Sequence, residues 1–388
     1  MKRILLIPSS DYLGHPFPQR HNHLFERLNN DKEFEVHVIR FNIFGKARLK
    51  SNCIIHELPI EFKLKSTPLY YLTNAPIYAK EIIKIIRQES IDIVVAGNLL
   101  PPLILEIFKE LSRYKIPTIF DLQDYYPTSA TGYICNINNS IGTIARGLFE
   151  IITQHLIHMA DIVTVPGIAL ALYAKKIGAK RVKIIPNGIS KHFLKKYDGK
   201  EIREKLDYDE KDIVIGYIGS IEFWLDMKTL IKAIAKIYKK IPIKFLLIGK
   251  HLQTNYSHKV KNWIEYYDIE KITTWLDFIP HQQVPKYIAA MDIGTIPFDT
   301  RNPTAYYAAP NKLWEYLSQE IMIISTPIPE ILLYRKYIII AKNNTDYINI
   351  LIKVQKDRAK NPTLKTRDII VNRTWDRSAH IFRRLFVS

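Results

Sequence analysis

The sequence predicts an α/β protein with two doubly wound, parallel-sheet domains. Short β-branched runs alternate with amphipathic helical segments, the alternation restarts after residue 210, and the apolar share of 47% is ample for two cores. At about 150 residues per domain, 388 residues suffice for two or three domains. The expected domains are 1–195 and 205–370, with a C-terminal helix in 371–388 that packs back on the first domain.

Each half of the chain contains six candidate strands. In the first half, amphipathic helical stretches at 79–88 and 103–113 lie between strands. The candidate strands of the first half are Arg3–Pro8, Glu35–Arg40, Ile91–Ala96, Thr118–Asp121, Ile162–Val165 and Val182–Ile185. In the second half they are Ile213–Tyr217, Phe245–Ile248, Ile272–Phe278, Ile293–Pro297, Ile321–Ser325 and Tyr337–Ala341. Ligands of such sheets bind outside the carboxyl ends of the strands, so the loops after strands are where chemistry is expected.

The net charge of +18 favours anionic partners such as nucleotides, sugar phosphates, nucleic acid or an acidic membrane face. The segment from Lys175 to Lys200 contains nine basic residues and a single acidic residue, Asp198. This run is interpreted first as a solvated basic surface, and second as a region attracted to an anionic membrane or a lipid pyrophosphate. No nucleic-acid-binding motif accompanies it, so nucleic acid is not an expected partner.

Cysteine use and hydropathy bear on the compartment. Cys53 and Cys135 form neither a C-x-x-C pair nor a zinc spacing, and no stretch approaches about 18 continuous apolar residues. Met1–Ser10 has a basic tip and only a short apolar run, which indicates a first strand rather than a signal peptide. We therefore expect a cytoplasmic protein, with peripheral attachment to the cytoplasmic face of a membrane as a further expectation.

The loop after the strand Ile213–Tyr217 is a candidate phosphate site. Gly219 allows the backbone to approach a ligand closely, and Ser220 follows it. Asp226 is placed to cap the next helix, whose first amides can bind a phosphate. A purely structural strand–glycine–helix turn is the alternative.

The segment Tyr306–Leu317 is the strongest candidate site in the sequence. Pro310 suits the first turn of a helix, on which Lys312 and Glu315 are three residues apart and share a face. A lysine there can bind a diphosphate, and a glutamate can accept hydrogen bonds from both hydroxyls of a ribose. The alternative is a surface ion pair between the two side chains.

Five motifs in sequence order make the chain similar to GT-B glycosyltransferases, specifically the retaining family GT4. They are Ala160–Val165, Val182–Ser190, Ile215–Ser220, Ile279–His281 with Val284–Tyr287, and Pro310–Tyr316 with Ser325–Pro327. The resemblance covers nearly the whole chain and is strongest from residue 160 to 330. It implies two Rossmann-like domains facing across a cleft, and transfer of a sugar from a nucleotide-sugar donor to a hydroxyl with retention of configuration.

The resemblance implies that the second domain binds the donor. Glu315 matches the second glutamate of the family's E-x7-E motif, which holds the donor ribose, and Lys312 matches a basic residue near the donor phosphates. Tyr307 stands where the family has its first glutamate, and Lys228 is the candidate substitute for a missing cationic pair. The implied donor-binding residues are Gly219, Ser220, Lys228, Tyr307, Pro310, Asn311, Lys312 and Glu315.

The resemblance implies that the first domain binds the acceptor. Gly14 ends a loop similar to the family's acceptor-side glycine loop, and Arg20 and His21 begin a similar helix. Asp124 follows a strand and would face the cleft near the acceptor hydroxyl; a loop aspartate that caps a turn is its alternative. His21 has the alternative of a half-buried helix residue. The predicted catalytic residues are Asp124, Lys312 and Glu315.

No metal or other cofactor is expected, since lysine and helix N-termini can neutralise a diphosphate. His21 and His23 are two residues apart on a helix and point apart, so they do not suggest a metal site. Asp207-Tyr208-Asp209 satisfies the D-x-D pattern of metal-dependent GT-A enzymes, but it lies between a charged helix and a strand and is predicted to be a linker turn.

The expected function is sugar transfer to a glycan or lipid-linked oligosaccharide acceptor, in glycan or cell-surface polysaccharide assembly. Two alternatives stay open. One is a UDP-sugar epimerase of the same fold. The other is a sugar-nucleotide-binding partner subunit that has lost catalysis, which Tyr307 in place of a glutamate suggests.

Overall fold

The computed structural model describes residues 1–42, 45–58, 67–97, 101–135, 139–249, 255–356 and 366–387. The chain forms two compact α/β units. The first comprises Met1–Thr131, Asn139–Asn187 and Trp375–Ser388, and the second comprises Gly132–Asn138 and Gly188–Thr374. The chain therefore passes from the first unit to the second within the turn Pro186-Asn187-Gly188, before the expected boundary at 195–205.

A parallel sheet of seven strands forms the centre of the first unit, as far as its residues are described. The strand order is β3-β2-β1-β4-β5-β6-β7, so the order reverses between β1 and β4. The strands are β1 (Lys2–Ile7), β2 (Phe34–Arg40), β3 (Ile54–Glu57), β4 (Ile93–Gly97), β5 (Thr118–Asp121), β6 (Ile162–Val165) and β7 (Val182–Ile184).

Seven helices accompany this sheet in the described part of the chain, and the last of them is the C-terminal helix. They are α1 (Arg20–Asn29), α2 (Thr67–Gln88), α3 (Pro101–Tyr114), α4 (Tyr126–Cys135), α5 (Asn139–Met159), α6 (Ile168–Ile177) and α16 (Trp375–Val387). The ring of Phe382 on α16 lies 5.3 Å from that of Phe25 on α1, edge to face. The apolar face of α16 thus completes the core beside β1 and β2.

The second unit repeats the pattern with a parallel sheet of six described strands, in the order β10-β9-β8-β11-β12-β13. The strands are β8 (Ile213–Ile218), β9 (Ile243–Ile248), β10 (Thr273–Leu276), β11 (Ile293–Ile296), β12 (Met322–Ser325) and β13 (Ile339–Ile340). The helices are α7 (Lys200–Lys205), α8 (Met227–Ile237), α9 (Tyr256–Tyr266), α10 (Val284–Ala289), α11 (Pro303–Tyr306), α12 (Asn311–Ser318), α13 (Pro329–Leu332), α14 (Asn344–Lys356) and α15 (Arg367–Ile370).

Tyr316 fixes α12 against the sheet. A Cβ atom on Gly294 would lie 2.8 Å from the Tyr316 ring, so the absence of a side chain in β11 makes room for it. The Tyr316 hydroxyl accepts a hydrogen bond from the Ile218 amide (3.1 Å) at the end of β8. This contact sets the position of α12 relative to the carboxyl end of β8.

All twelve candidate strands are present, each within two residues of its predicted ends. Strand β3 was not predicted from the sequence; it lies at the sheet edge, and its residues are exposed or only partly buried. Pro310 is the N-cap residue of α12 and thus lies just before the first turn, not within it. None of the described helices is long and apolar enough to cross a bilayer.

Candidate functional site

Two glycines allow a close backbone approach at the carboxyl ends of β8 and β9. Gly219 (φ +135°) and Gly249 (φ +138°) both lie in the left-handed region that favours glycine. The Gly219 amide donates to the Ile248 carbonyl (2.9 Å), and a Cβ atom on Gly249 would lie 2.0 Å from the Gly219 carbonyl oxygen. The two loops therefore approach each other more closely than side chains would allow.

Lys312 brings a cation to the end of β8. Its ammonium lies 5.2 Å from the ring centroids of both Tyr217 and Phe298, within cation–π distance of each. A Cβ atom on Gly219 would lie only 3.4 Å from its Nζ atom. Burial lowers the pKa of Lys312 to about 8, against the attraction of Glu315. The ammonium is thus held beside the Gly219 loop and is charged at neutral pH.

Glu315 lies one helical turn further along α12. Burial raises the pKa of its carboxyl to about 7, although Lys312 opposes the shift. Within the described residues the carboxylate forms no ion pair and accepts no hydrogen bond from another residue, so the surface ion pair with Lys312 that the sequence left open is not formed. Its oxygens are available to a ligand.

The loop from Gly219 to Asp226 is fixed at both ends. Tyr217 donates from its hydroxyl to the Ser220 carbonyl (2.7 Å). Asp226 caps α8 as predicted, because its carboxylate accepts from the Thr229 amide (3.2 Å). The first turn of α8 therefore follows a loop whose two ends are held by hydrogen bonds.

The remaining predicted donor-binding residues are less tightly grouped. Lys228 is exposed, and its ammonium lies 5.9 Å from the ring centroid of Trp263. Tyr307 is half-buried at the C-cap of α11, Pro310 is buried, and Asn311 is exposed as the first residue of α12. To act as a substitute cation, Lys228 would have to leave the Trp263 ring.

In the first unit, a buried carboxylate organises the predicted acceptor-side residues. Asp121, the last residue of β5, accepts from Arg20 through two hydrogen bonds (3.0 and 3.1 Å) and from the Thr164 hydroxyl (2.7 Å). Arg20 also donates to the Ile185 carbonyl and to the Asn187 side chain. Burial alone would raise the pKa of Asp121, but Arg20 and His21 hold it well below its usual range.

His21 belongs to the same cluster and is buried, not half-buried. The Ser9 amide donates to its Nδ1 atom (3.3 Å), so Nε2 carries the proton and donates to Asp121 (3.1 Å). The Gln123 side-chain amide lies 2.7 Å from Nε2. A Cβ atom on Gly97 would lie 2.7 Å from the His21 ring, so this glycine gives the imidazole its place.

The other two acceptor-side predictions lie outside this cluster. Gly14 is buried, and its amide donates to Asp11 (3.0 Å), as in a structural turn. Asp124 is half-buried; burial, with the Asp124 charge adding to it, raises the pKa of Tyr126. Asp121 was not predicted as a site residue, although its position at the carboxyl end of a strand was a signal in the sequence.

The D-x-D segment lies in a turn after α7, as predicted. Asp207 has a positive φ of 54°, and Asp209 forms an ion pair with Lys211 (3.5 Å). Among the described residues, no three His, Cys, Asp or Glu side chains are grouped so as to hold a metal ion.

Comparison with known proteins agrees with this architecture. Residues 198–367 match the family model for glycosyl transferases group 1. Sucrose-phosphate synthase from Thermosynechococcus elongatus is similar over 100% of both chains, with a TM-score of 0.78 and 16% identity. HepE of Anabaena, solved in complex with UDP-glucose, is similar over 100% of both chains (TM-score 0.73, 16% identity).

A trehalose-phosphate synthase (UDP-forming) from Burkholderia vietnamiensis gives a TM-score of 0.69 at 10% identity, over 100% of this chain and 98% of that one. A comparison by sequence with curated proteins yields no match. At these identities the structural likeness concerns the fold alone.

The two doubly wound parallel sheets and these full-length likenesses define the GT-B fold. The family match covers all of β8–β13 and the α12 turn that carries Lys312 and Glu315. Residues 198–367 match the glycosyl transferases group 1 family, and the chain as a whole has the GT-B fold.

Proposed function

We propose that the protein transfers a sugar from a nucleotide-sugar donor to a hydroxyl of a glycan or lipid-linked oligosaccharide, with retention of configuration, in glycan or cell-surface polysaccharide assembly. One observation carries the proposal: the Lys312 ammonium lies beside the Gly219 loop, and the unpaired Glu315 carboxylate lies one turn further along α12. This set offers a cation to a diphosphate and two acceptor oxygens to a ribose. The complexes of HepE with UDP and UDP-glucose support a donor of this class.

The proposed chemistry is electrostatic. As the bond from the sugar to the diphosphate breaks, negative charge builds on the departing phosphate oxygen. Lys312, the backbone around Gly219 and Ser220, and the amino end of α8 are the groups proposed to stabilise that charge. In a front-face reaction the departing phosphate oxygen can take the acceptor proton, so no strong protein base and no metal ion are needed.

The acceptor is proposed to bind to the first unit. Gly14, Arg20, His21 and Asp124 are the candidate contacts, and Asp124 is proposed to orient the acceptor hydroxyl. Arg20 and His21 are already engaged with Asp121, so they would act on an acceptor mainly by shaping its surroundings. The net charge of +18 favours an anionic acceptor.

The proposal is tested first by thermal denaturation with UDP, GDP, ADP and dTDP. A nucleotide at about 100 times its Kd adds roughly 2.7 kcal/mol of stability, which raises the melting temperature measurably. The shift should appear with one base, disappear in Glu315→Ala, and persist in Glu265→Ala, which removes an exposed glutamate from α9. Absence of a shift with every nucleotide would refute the donor site.

A turnover assay distinguishes sugar transfer from the two alternative functions. Release of nucleoside diphosphate that depends on an added acceptor supports transfer. Binding without turnover would favour a partner subunit that has lost catalysis, and conversion of a UDP-sugar without an acceptor would favour an epimerase.

A further inference from the structure

The outer face of α5 carries a row of exposed aliphatic side chains. Ile144, Leu148 and Ile151 are 75%, 58% and 55% exposed, respectively. Spacings of four and three residues place them on one face of the helix. We call these three residues the α5 stripe. Isolated exposed aliphatic residues are ordinary, whereas a continuous row on one helix marks a surface that contacts something apolar.

Helix α5 places no unpaired acidic side chain beside the stripe. Its inner side, including Thr153, Leu156 and Ile157, is buried. Glu150 is the only acidic residue of α5, and its carboxylate accepts hydrogen bonds from the hydroxyls of Tyr125 and Tyr173. That carboxylate is therefore engaged with α6 and the β5 loop, and α5 adds no unpaired acidic group to the stripe.

Basic side chains lie on α6, the helix that packs against α5. Helix α6 contacts α5 through the Tyr173–Glu150 hydrogen bond, and its Leu172 is 59% exposed. Lys175 and Lys176 follow Leu172 at helical spacing, and both are exposed. Lys175 and Lys176 form no ion pair with any described residue. We call these two lysines the basic rim.

We propose that the α5 stripe and the basic rim dock this protein on an anionic lipid bilayer surface. Aliphatic side chains on one helix face, flanked by cations and lacking unpaired carboxylates, match a boundary where acyl chains meet anionic headgroups. A second copy of this chain fits less well, because pairing the two surfaces would bring two basic rims together. The proposal goes beyond the proposed function and does not depend on the donor site.

The test is sedimentation of the full chain with two kinds of vesicle, phosphatidylcholine alone and phosphatidylcholine mixed with phosphatidylglycerol. The chain should sediment with the mixed vesicles and stay in the supernatant with vesicles of phosphatidylcholine alone. The variant Ile144→Gln/Leu148→Gln/Ile151→Gln should bind the mixed vesicles at least roughly tenfold more weakly, because it loses aliphatic contact with the acyl boundary. The control Leu333→Gln/Val371→Gln, which removes exposed aliphatic residues from the second unit, should bind like the wild type.

A second pair of variants tests the electrostatic contribution of the basic rim to vesicle binding. Lys175→Glu/Lys176→Glu should weaken binding by roughly tenfold or more, since each cation near the surface contributes measurably to binding. Lys232→Glu/Lys236→Glu changes the net charge equally on exposed residues of α8 and should weaken binding far less.

Several results would overturn the proposal. They are failure of the wild type to sediment with mixed vesicles, unchanged binding by the stripe variant, or equal losses in the two lysine variants. Sedimentation velocity provides a further check: a dimer that the stripe substitutions dissociate would identify a second copy of the chain as the occupant. An unchanged nucleotide-induced thermal shift in the stripe variant shows that it is folded, and it separates failure of docking from failure of the donor site.

Discussion

At the scale of single residues, burial moves the pKa values of Lys312 and Glu315 towards each other. Burial lowers the former to about 8 and raises the latter to about 7, so each group titrates near neutrality. Desolvated charges of this kind cost stability and are typical of functional sites. The ionised carboxylate and the protonated ammonium coexist most fully between these two values.

Nucleotide affinity should therefore have a maximum between about pH 7 and 8. Below this range Glu315 takes up a proton and its carboxyl is a poorer acceptor for ribose hydroxyls. Above it Lys312 loses the charge that attracts the diphosphate. Calorimetric titration of the nucleotide that binds best, across pH 6 to 9, measures the profile.

Two variants separate the limbs of this profile. Glu315→Gln should bind more weakly and lose the acid limb, and Lys312→Met should bind more weakly and lose the alkaline limb. A wild-type affinity that is flat over this range would contradict the assignment.

The buried Asp121 should contribute strongly to stability. Asp121→Asn leaves the Arg20 guanidinium without a charged partner, which typically costs about 3–5 kcal/mol when a buried pair is broken. Because Asp121 has a depressed pKa in the folded state, its stabilisation is present above its unfolded pKa and is lost as the pH falls from there towards the folded pKa. The acid dependence of unfolding should therefore be weaker in the variant, as urea denaturation at several pH values can measure.

The matched control is Asp376→Asn, which breaks the exposed pair with Arg27. An exposed pair contributes about 0–1 kcal/mol. Equal losses of stability in both variants would contradict the structural role of Asp121.

The sequence located the Lys312 and Glu315 pair better than it located the Asp121 cluster. Lys312 and Glu315 were predictable because helical spacing and a family motif point to the same residues. Asp121 was not singled out, because its importance comes from Arg20 and His21, which approach it from a helix about 100 residues earlier. No local pattern encodes a contact of that range.

At the scale of elements, the strands were predictable for a physical reason. Parallel strands covered on both faces appear as continuous apolar runs between polar turns, as Ile213–Ile218 does. The missed strand β3 has the sequence Ile-Ile-His-Glu and lies at the sheet edge, where polar residues are tolerated. Pairing with β2, not its own composition, makes it a strand.

Gly219→Ala should damage both stability and binding at the end of β8. A side chain at φ +135° is strained by about 1–3 kcal/mol, and the new Cβ would lie 3.3 Å from the Lys312 Cε atom, which must shift. Nucleotide affinity should fall about tenfold, which calorimetry measures together with the melting temperature.

Gly147→Ala is the control for this substitution. Gly147 lies inside α5, and a Cβ atom added to it would meet no other atom within 4 Å, so alanine there should stabilise by about 0.5–1 kcal/mol and leave affinity unchanged. Wild-type affinity in Gly219→Ala would show that the loop is not at the donor site.

At the scale of the whole molecule, the two units are not consecutive segments of the chain. The last helix, α16, belongs to the first unit, and Trp375, Phe382 and Phe386 fill its core. The sequence indicated a helix with an apolar face that must pack on something, since an amphipathic helix needs a partner. Its contact with α1 is a pairing between residues about 350 positions apart, which periodicity alone does not specify.

Phe382→Ala should therefore destabilise the first unit by about 3–5 kcal/mol, because a nearly fully buried ring that contacts both Phe25 and Phe386 is removed. Trp375 is the only tryptophan of the first unit, so the difference in fluorescence between wild type and Trp375→Phe during urea denaturation follows that unit alone. Val387→Ala, an exposed position on the same helix, should change stability by less than about 0.5 kcal/mol. A Phe382→Ala variant whose Trp375 signal unfolds at the wild-type urea concentration would show that α16 does not stabilise the first unit.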